Sequence, residues 1–169
     1  STAFTDSLPK PRMARMSALV KTIALASVLL LPALLAEDKV LCEFEADDEV
    51  VCSGGGISTA QAAQGKAAYL WQDHPEHPAL RFAKAEGDWS AWNTLSFQLH
   101  SKVANGAKFV IIASSENDKT EGIDYYLWEI TVDWQGWRDF DLPFDGFRPS
   151  REPLGWGQIN QLSWNASGW

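Results

Sequence analysis

Cysteine, methionine, tyrosine and histidine are scarce in this chain: two, two, three and three among 169 residues. The two cysteines, Cys42 and Cys52, form no CxxC pair, which excludes a zinc ribbon and a thioredoxin-like redox motif. Positive charge is also short. Fourteen Lys and Arg stand against 22 Asp and Glu, a net of -8. Such a chain repels phosphate backbones, so nucleic acid is not expected as a partner. No long stretch has helical periodicity. The enzyme signatures GxSxG, GxxxxGK[ST] and HExxH are missing, as is a GxGxxG between strand and helix. The close histidine pair, His74-Pro-Glu-His77, has a proline between its members. That denies the two imidazoles a shared helical face, so the segment reads as a loop rather than a metal site. No catalytic residue is assigned, although paired carboxylates of the glycosidase kind leave no local signature to exclude.

Hydrophobic residues make up 46% of the chain and charged residues 21%, which fits a soluble globular protein and no disordered or collagen-like one. The unusual abundance is tryptophan, nine residues against three tyrosines. Such side chains fill cores, and they also stack on ligands.

Residues 1–12 precede both Met13 and Met16 and read as an upstream leader or a fragment end. Residues 13–36 read as a helical signal peptide. Arg15 and Lys21 are followed by the uncharged run TIALASVLLLPALLA, which is short for a bilayer span and suited to a signal core. The alternative is a short membrane anchor. Cleavage near Ala33 or Ala36 removes any stable span and leaves residues 37–169, with ten basic and 21 acidic residues, a net of -11. The expected location is secreted or periplasmic. There Cys42 and Cys52 have the opportunity to pair, with two thiols as the alternative. The chain stops after SWNASGW, which reads as truncation of a longer protein.

The remaining signals are those of short strands. CEFEA alternates from Cys42, and AAYLW, ALRFA and TLSFQLHS follow. In TLSFQLHS, Leu95, Phe97 and Leu99 share one face and Ser96, Gln98 and His100 the other. KFVIIASS is a β-branched buried run. In YYLWEITVDW, Tyr126, Trp128, Ile130 and Val132 oppose Tyr125, Leu127, Glu129 and Thr131, which puts Trp128 in the core. QGWRDFDLPF and QINQLSWNA supply two more strands, while residues 57–68 read as helix or loop and PSREPLGWG (149–157) as a loop. Strands at this spacing predict an all-β protein, an antiparallel β-sandwich or barrel.

Sugars offer C–H groups for an aromatic ring to stack on and hydroxyls for polar groups to bind. The wet strand faces supply Gln98, His100, Tyr125 and Glu129, with Arg81 beside them, and Trp71 and Trp156 lie next to loops. These seven residues form the expected carbohydrate-binding surface. The net of -11 disfavours strongly anionic glycans unless Arg81, Arg148 and Arg151 form a local basic patch.

The order FE (44–45), DWSAWNTLSFQL (88–99), YYLWEITVDWQGWRDFDLPFDGF (125–147) and REPLGWGQINQLSW (151–164) resembles the galactose-binding-like jelly rolls. The likeness is to the carbohydrate-binding N-terminal domains of heparinase II/III-like polysaccharide lyases and of glycoside hydrolases, and it covers most of residues 41–169. The resemblance implies a jelly-roll sandwich that binds a polysaccharide, catalyses nothing itself, and belongs to a secreted carbohydrate-active enzyme with a downstream catalytic domain. The alternative is a structural domain that packs on that enzyme and binds no sugar. The resemblance also implies that Trp89 and Trp137 pack inward, and it leaves Trp92 and Trp134 unassigned. Many such modules hold a structural Ca²⁺ between their first and last strands, to which Glu43 and Glu45 are the candidates; plain solvated charge is the other reading.

Overall fold

The computed structural model describes residues 38–44, 50–51, 55–72, 76 and 78–166. The expected signal peptide, residues 13–36, lies outside the described residues, as do Glu45, Cys52, His74 and His77. Among the described residues no helix is long and apolar enough to cross a membrane.

Among the described residues ten strands follow one another: β1 (Val50–Val51), β2 (Gly55–Ser58), β3 (Ala68–Trp71), β4 (Ala79–Phe82), β5 (Thr94–Ser101), β6 (Lys108–Ser114), β7 (Tyr125–Thr131), β8 (Gly136–Pro143), β9 (Arg148–Ser150) and β10 (Gln161–Asn165). One 3-10 turn, Phe144–Gly146, separates β8 from β9. Six strands form one sheet in the order β1-β4-β10-β6-β7-β9, and β2-β3 and β5-β8 form two further pairs. Every pairing is antiparallel. The all-β, antiparallel sandwich expected from strand spacing is the observed fold.

Alternation decides which residues meet between the sheets. From β5 and β8, Leu95 and Leu142 are buried; from the six-stranded sheet come Leu80, Phe82, Phe109, Ile111, Ala113, Ile130, Leu162 and Trp164. Trp164 joins the two layers. Its ring lies 4.8 Å from Phe97 of β5, 5.4 Å from Phe82 and 5.9 Å from Phe109. Much of the tryptophan excess is spent in this way. Trp89 is buried, donates its indole N–H to the Ala85 carbonyl at 2.9 Å, and stacks with Phe144. Trp128 sets its ring edge against Phe147 at 5.3 Å. Both tryptophans face inward, as expected.

Three local readings differ from the structure. Residues 42–44 are irregular and Phe44 has a φ of 59°, a left-handed conformation that interrupts an extended run. Half-buried Cys42 packs against the core, while its pairing with Cys52 lies outside the described residues. Gly55–Ser58 is a strand that reaches into the helix or loop expected from residue 57, because pairing with β3 supplies what its small residues do not signal. Arg148–Ser150 is also a strand, on the edge of the sheet, where Pro149 costs no ladder hydrogen bond.

Candidate functional site

The strand registers assign each candidate side chain to a face. On β5 and β8, Ser96 opposes Asp141, Gln98 opposes Asp139, and His100 opposes Trp137. All six point away from the core, because Leu95, Phe97 and Leu99 point into it. Four of them satisfy one another in pairs. The Ser96 hydroxyl donates to Asp141 and the Gln98 amide to Asp139, each at 2.7 Å, and the His100 ring meets Trp137 edge-on at 5.2 Å. Trp137 is 39% exposed. Its expected inward packing is therefore corrected: the residue opposite His100 must share the outward side of the pair.

Arg81, Tyr125 and Glu129 lie elsewhere, on the outer face of the six-stranded sheet. In one row across that sheet stand Arg81, Ser163, Ile112, Leu127 and Arg148. A second row holds Ala79, Asn165, Val110 and Glu129, and a third holds Gln161, Ser114, Tyr125 and Ser150. Val110, Ile112, Ser114 and Ser163 are buried although they belong to no part of the inter-sheet core. They form a floor of small and β-branched side chains beneath exposed or half-buried polar ones. Glu129 is held by Lys108 at 2.8 Å. Tyr125 is half-buried. An open hollow of about 310 Å³ lies at the β7–β9 side, lined by Leu127, Trp128, Glu129, Gly146 and Arg148.

The single surface expected from sequence is thus two surfaces on opposite sides of the sandwich. Gln98 and His100 belong to one, and Arg81, Tyr125 and Glu129 to the other. Trp156 joins neither as a stacking platform. Trp156 stacks with Phe144 at 4.0 Å and Tyr126 at 4.4 Å, so protein rings occupy its stacking surface. Trp71 is half-buried on β3 and packs against the core. Arg148, Ser150, Gln161, Ser163 and Asn165 share the face of Tyr125, a placement sequence reasoning did not make. Two of them flank Pro149, whose presence argued for a loop.

Two loops close the Tyr125 end of that face. Asp124 is fully buried, and its carboxylate accepts from the Thr120 hydroxyl, from the Asn117 N–H at 3.2 Å and from the Glu152 N–H at 2.9 Å. These donors, the Thr120 hydroxyl first and the Glu152 N–H next, hold its pKa below the usual carboxylate value. The Ser115 hydroxyl donates to the Gly155 carbonyl at 3.0 Å. The Asn117 amide donates to the Glu152 carbonyl at 3.0 Å. The β6–β7 loop and the β9–β10 loop are therefore fastened to each other immediately before Tyr125.

Of the two calcium candidates, Glu43 lies on the irregular stretch 42–44, and Glu45 lies outside the described residues. No group of three or more His, Cys, Asp and Glu suited to a metal occurs among the described residues.

The family model described as carbohydrate binding domain (family 11) matches residues 70–158. Two solved structures are similar. One is the family 11 carbohydrate-binding module from Clostridium thermocellum in complex with a β-1,3-1,4-mixed-linked tetrasaccharide, 17% identical with a TM-score of 0.47; the match covers 73% of this chain and 76% of that one. The other is the family 11 module of a cellulosomal cellulase of Clostridium thermocellum, 21% identical with a TM-score of 0.44, covering 73% of this chain and 75% of that one. A search of the curated proteins found no match.

Proposed function

The chain belongs to the family 11 carbohydrate binding domains, and we propose that it grips its polysaccharide on the outer face of the six-stranded sheet. Membership makes it a polysaccharide-binding module. The placement of the sugar rests on one observation: the registers line Tyr125, Glu129, Arg81, Arg148, Gln161 and Asn165 over a buried floor that serves no inter-sheet packing. A stacking ring, amides, a carboxylate and guanidinium groups around a shallow apolar base meet the needs of a sugar ring, one plane and several directional hydrogen bonds. The β5–β8 face is narrower, and Ser96, Gln98, Asp139 and Asp141 on it already bond one another.

The proposed setting is a secreted carbohydrate-active enzyme, a heparinase II/III-like polysaccharide lyase or a glycoside hydrolase, whose catalytic domain follows in the same protein. The module would hold that domain at its substrate, converting weak binding into a high effective concentration. Export would follow from the signal peptide read at residues 13–36.

Affinity gel electrophoresis of the full chain tests the placement, with mixed-linked β-1,3-1,4-glucan, xylan and polygalacturonate as immobilised probes. Retention by at least one probe is expected, reduced in Tyr125→Ala by about 1–3 kcal/mol and unchanged in Gln98→Ala. Loss in Gln98→Ala with none in Tyr125→Ala would move the site to the β5–β8 face. A folded chain retained by no polysaccharide would favour a purely structural domain.

A further inference from the structure

Resting on that reading of the face, we infer that Asp124 is a positioning residue for the sugar: it touches no ligand, and it fixes the place from which the Tyr125 ring meets one. Tyr125 is the first residue of β7 and the last rung of the ladder on both sides, opposite Ser114 of β6 and Ser150 of β9. A strand end is where local opening costs least. A stacking ring placed there would have to be ordered anew by each ligand, at a cost to affinity. Asp124, directly before it, is held from both neighbouring strands. Toward β6, its carbonyl accepts the Ser115 N–H at 2.8 Å and its own N–H donates to the Glu116 carboxylate at 3.3 Å. Toward β9, its carboxylate accepts the Glu152 N–H at 2.9 Å, just beyond Ser150. The other carboxylate oxygen takes the Asn117 N–H at 3.2 Å and the Thr120 hydroxyl.

Burial alone does not call for a carboxylate here. An apolar residue of similar volume would fill the space with no charge to desolvate, and such replacements are often neutral or stabilising. What the carboxylate adds is direction. Three donors from two loops fix its two oxygens, and neither loop can shift without breaking a charge-assisted hydrogen bond. The same loops are also tied by Ser115 to Gly155 and by Asn117 to Glu152, so the anchor does not move with one loop alone. Asp124 itself is fully buried, out of reach of a sugar. Its effect on binding therefore passes through Tyr125, the next residue and the one aromatic ring in the three rows of the face.

Isothermal titration of the full chain with mixed-linked β-1,3-1,4-glucan, xylan and polygalacturonate tests the inference, well below the melting temperature of every variant. Asp124→Asn turns one acceptor oxygen into a donor, and Thr120→Val removes one donor while keeping its shape. Each should weaken binding of a retained polymer about two- to tenfold, the worth of one hydrogen bond. In the Tyr125→Ala background neither should weaken it further, because the coupling runs through the missing ring. Circular dichroism at the titration temperature checks that each variant is folded, and Thr120→Val carries the test if Asp124→Asn is not. Parental affinity in the folded variants would leave Asp124 a structural tie only and overturn the inference. Losses of the same size with and without Tyr125 would also overturn it. Parental affinity in Tyr125→Ala, or a folded chain that binds none of the three polymers, would instead overturn the reading of the face, and the inference with it.

Discussion

The Asp124 carboxylate accepts the backbone N–H of Glu152 at 2.9 Å and so ties the loop before β7 to the loop after β9. A charged group in that position is tolerated because the Thr120 hydroxyl and the Asn117 N–H also donate to it. Its pKa is lowered in the fold, chiefly by the Thr120 hydroxyl. The linkage has a definite sign. The stabilisation is present above the unfolded aspartate pKa and is lost as pH falls through the still lower folded one. Melting temperature should therefore fall on acidification below about pH 4, and Asp124→Asn should melt lower at neutral pH with a flatter acid limb. Circular dichroism melts across the acid range measure both. A variant that melts like the parent at neutral pH would show that the carboxylate fastens nothing.

Gly146 gives a second test, on packing beside the hollow. A Cβ there would stand 2.4 Å from the six-membered ring of Trp128, which is itself set against Phe147 at 5.3 Å. Trp128 has to move, and overpacking of this kind costs about 1–3 kcal/mol. Gly146→Ala should lower the urea midpoint accordingly. A neutral result would mean that Trp128 has space to swing.

Trp164 and Trp137 make opposite predictions for the same substitution. Trp164 touches rings from both layers, so Trp164→Ala should cost about 3–5 kcal/mol. Trp137 has one ring partner, His100, and stands 39% exposed. Trp137→Ala should change stability by no more than about 0.5 kcal/mol. Denaturant titration of the two variants decides it, and a large loss in Trp137→Ala would restore an inward role.

The strands were legible wherever alternation was strong. TLSFQLHS predicted β5 to the residue, and the opposition of Tyr126, Trp128 and Ile130 to Tyr125 and Glu129 is what β7 shows. Alternation says which residues face water. It does not say which sheet they face it from. Gln98 and Tyr125 read as one surface because both are wet, whereas β5 pairs with β8 and β7 with β6 and β9. Those pairings span tens of residues and leave no local trace. The inward Trp137 is an implication of the resemblance alone, whereas its orientation follows from standing opposite His100. Trp156 lies in a Pro/Gly loop and read as accessible, but Tyr126 and Phe144 come from distant segments to stack on it. Arg81 and Arg148 are distant in sequence, and only the sheet order puts them on one face.

The central claim is that sugar is held on the outer face of the six-stranded sheet. An NMR titration of the isotope-labelled chain with oligosaccharide fragments of a retained polysaccharide tests it most directly. Chemical-shift changes are expected along Tyr125–Thr131, Arg148–Ser150 and Gln161–Asn165, with the Trp137 indole N–H signal, on the opposite side of the sandwich, left in place. Changes gathered instead on Thr94–Ser101 and Gly136–Pro143, led by the Trp137 indole, would contradict the account.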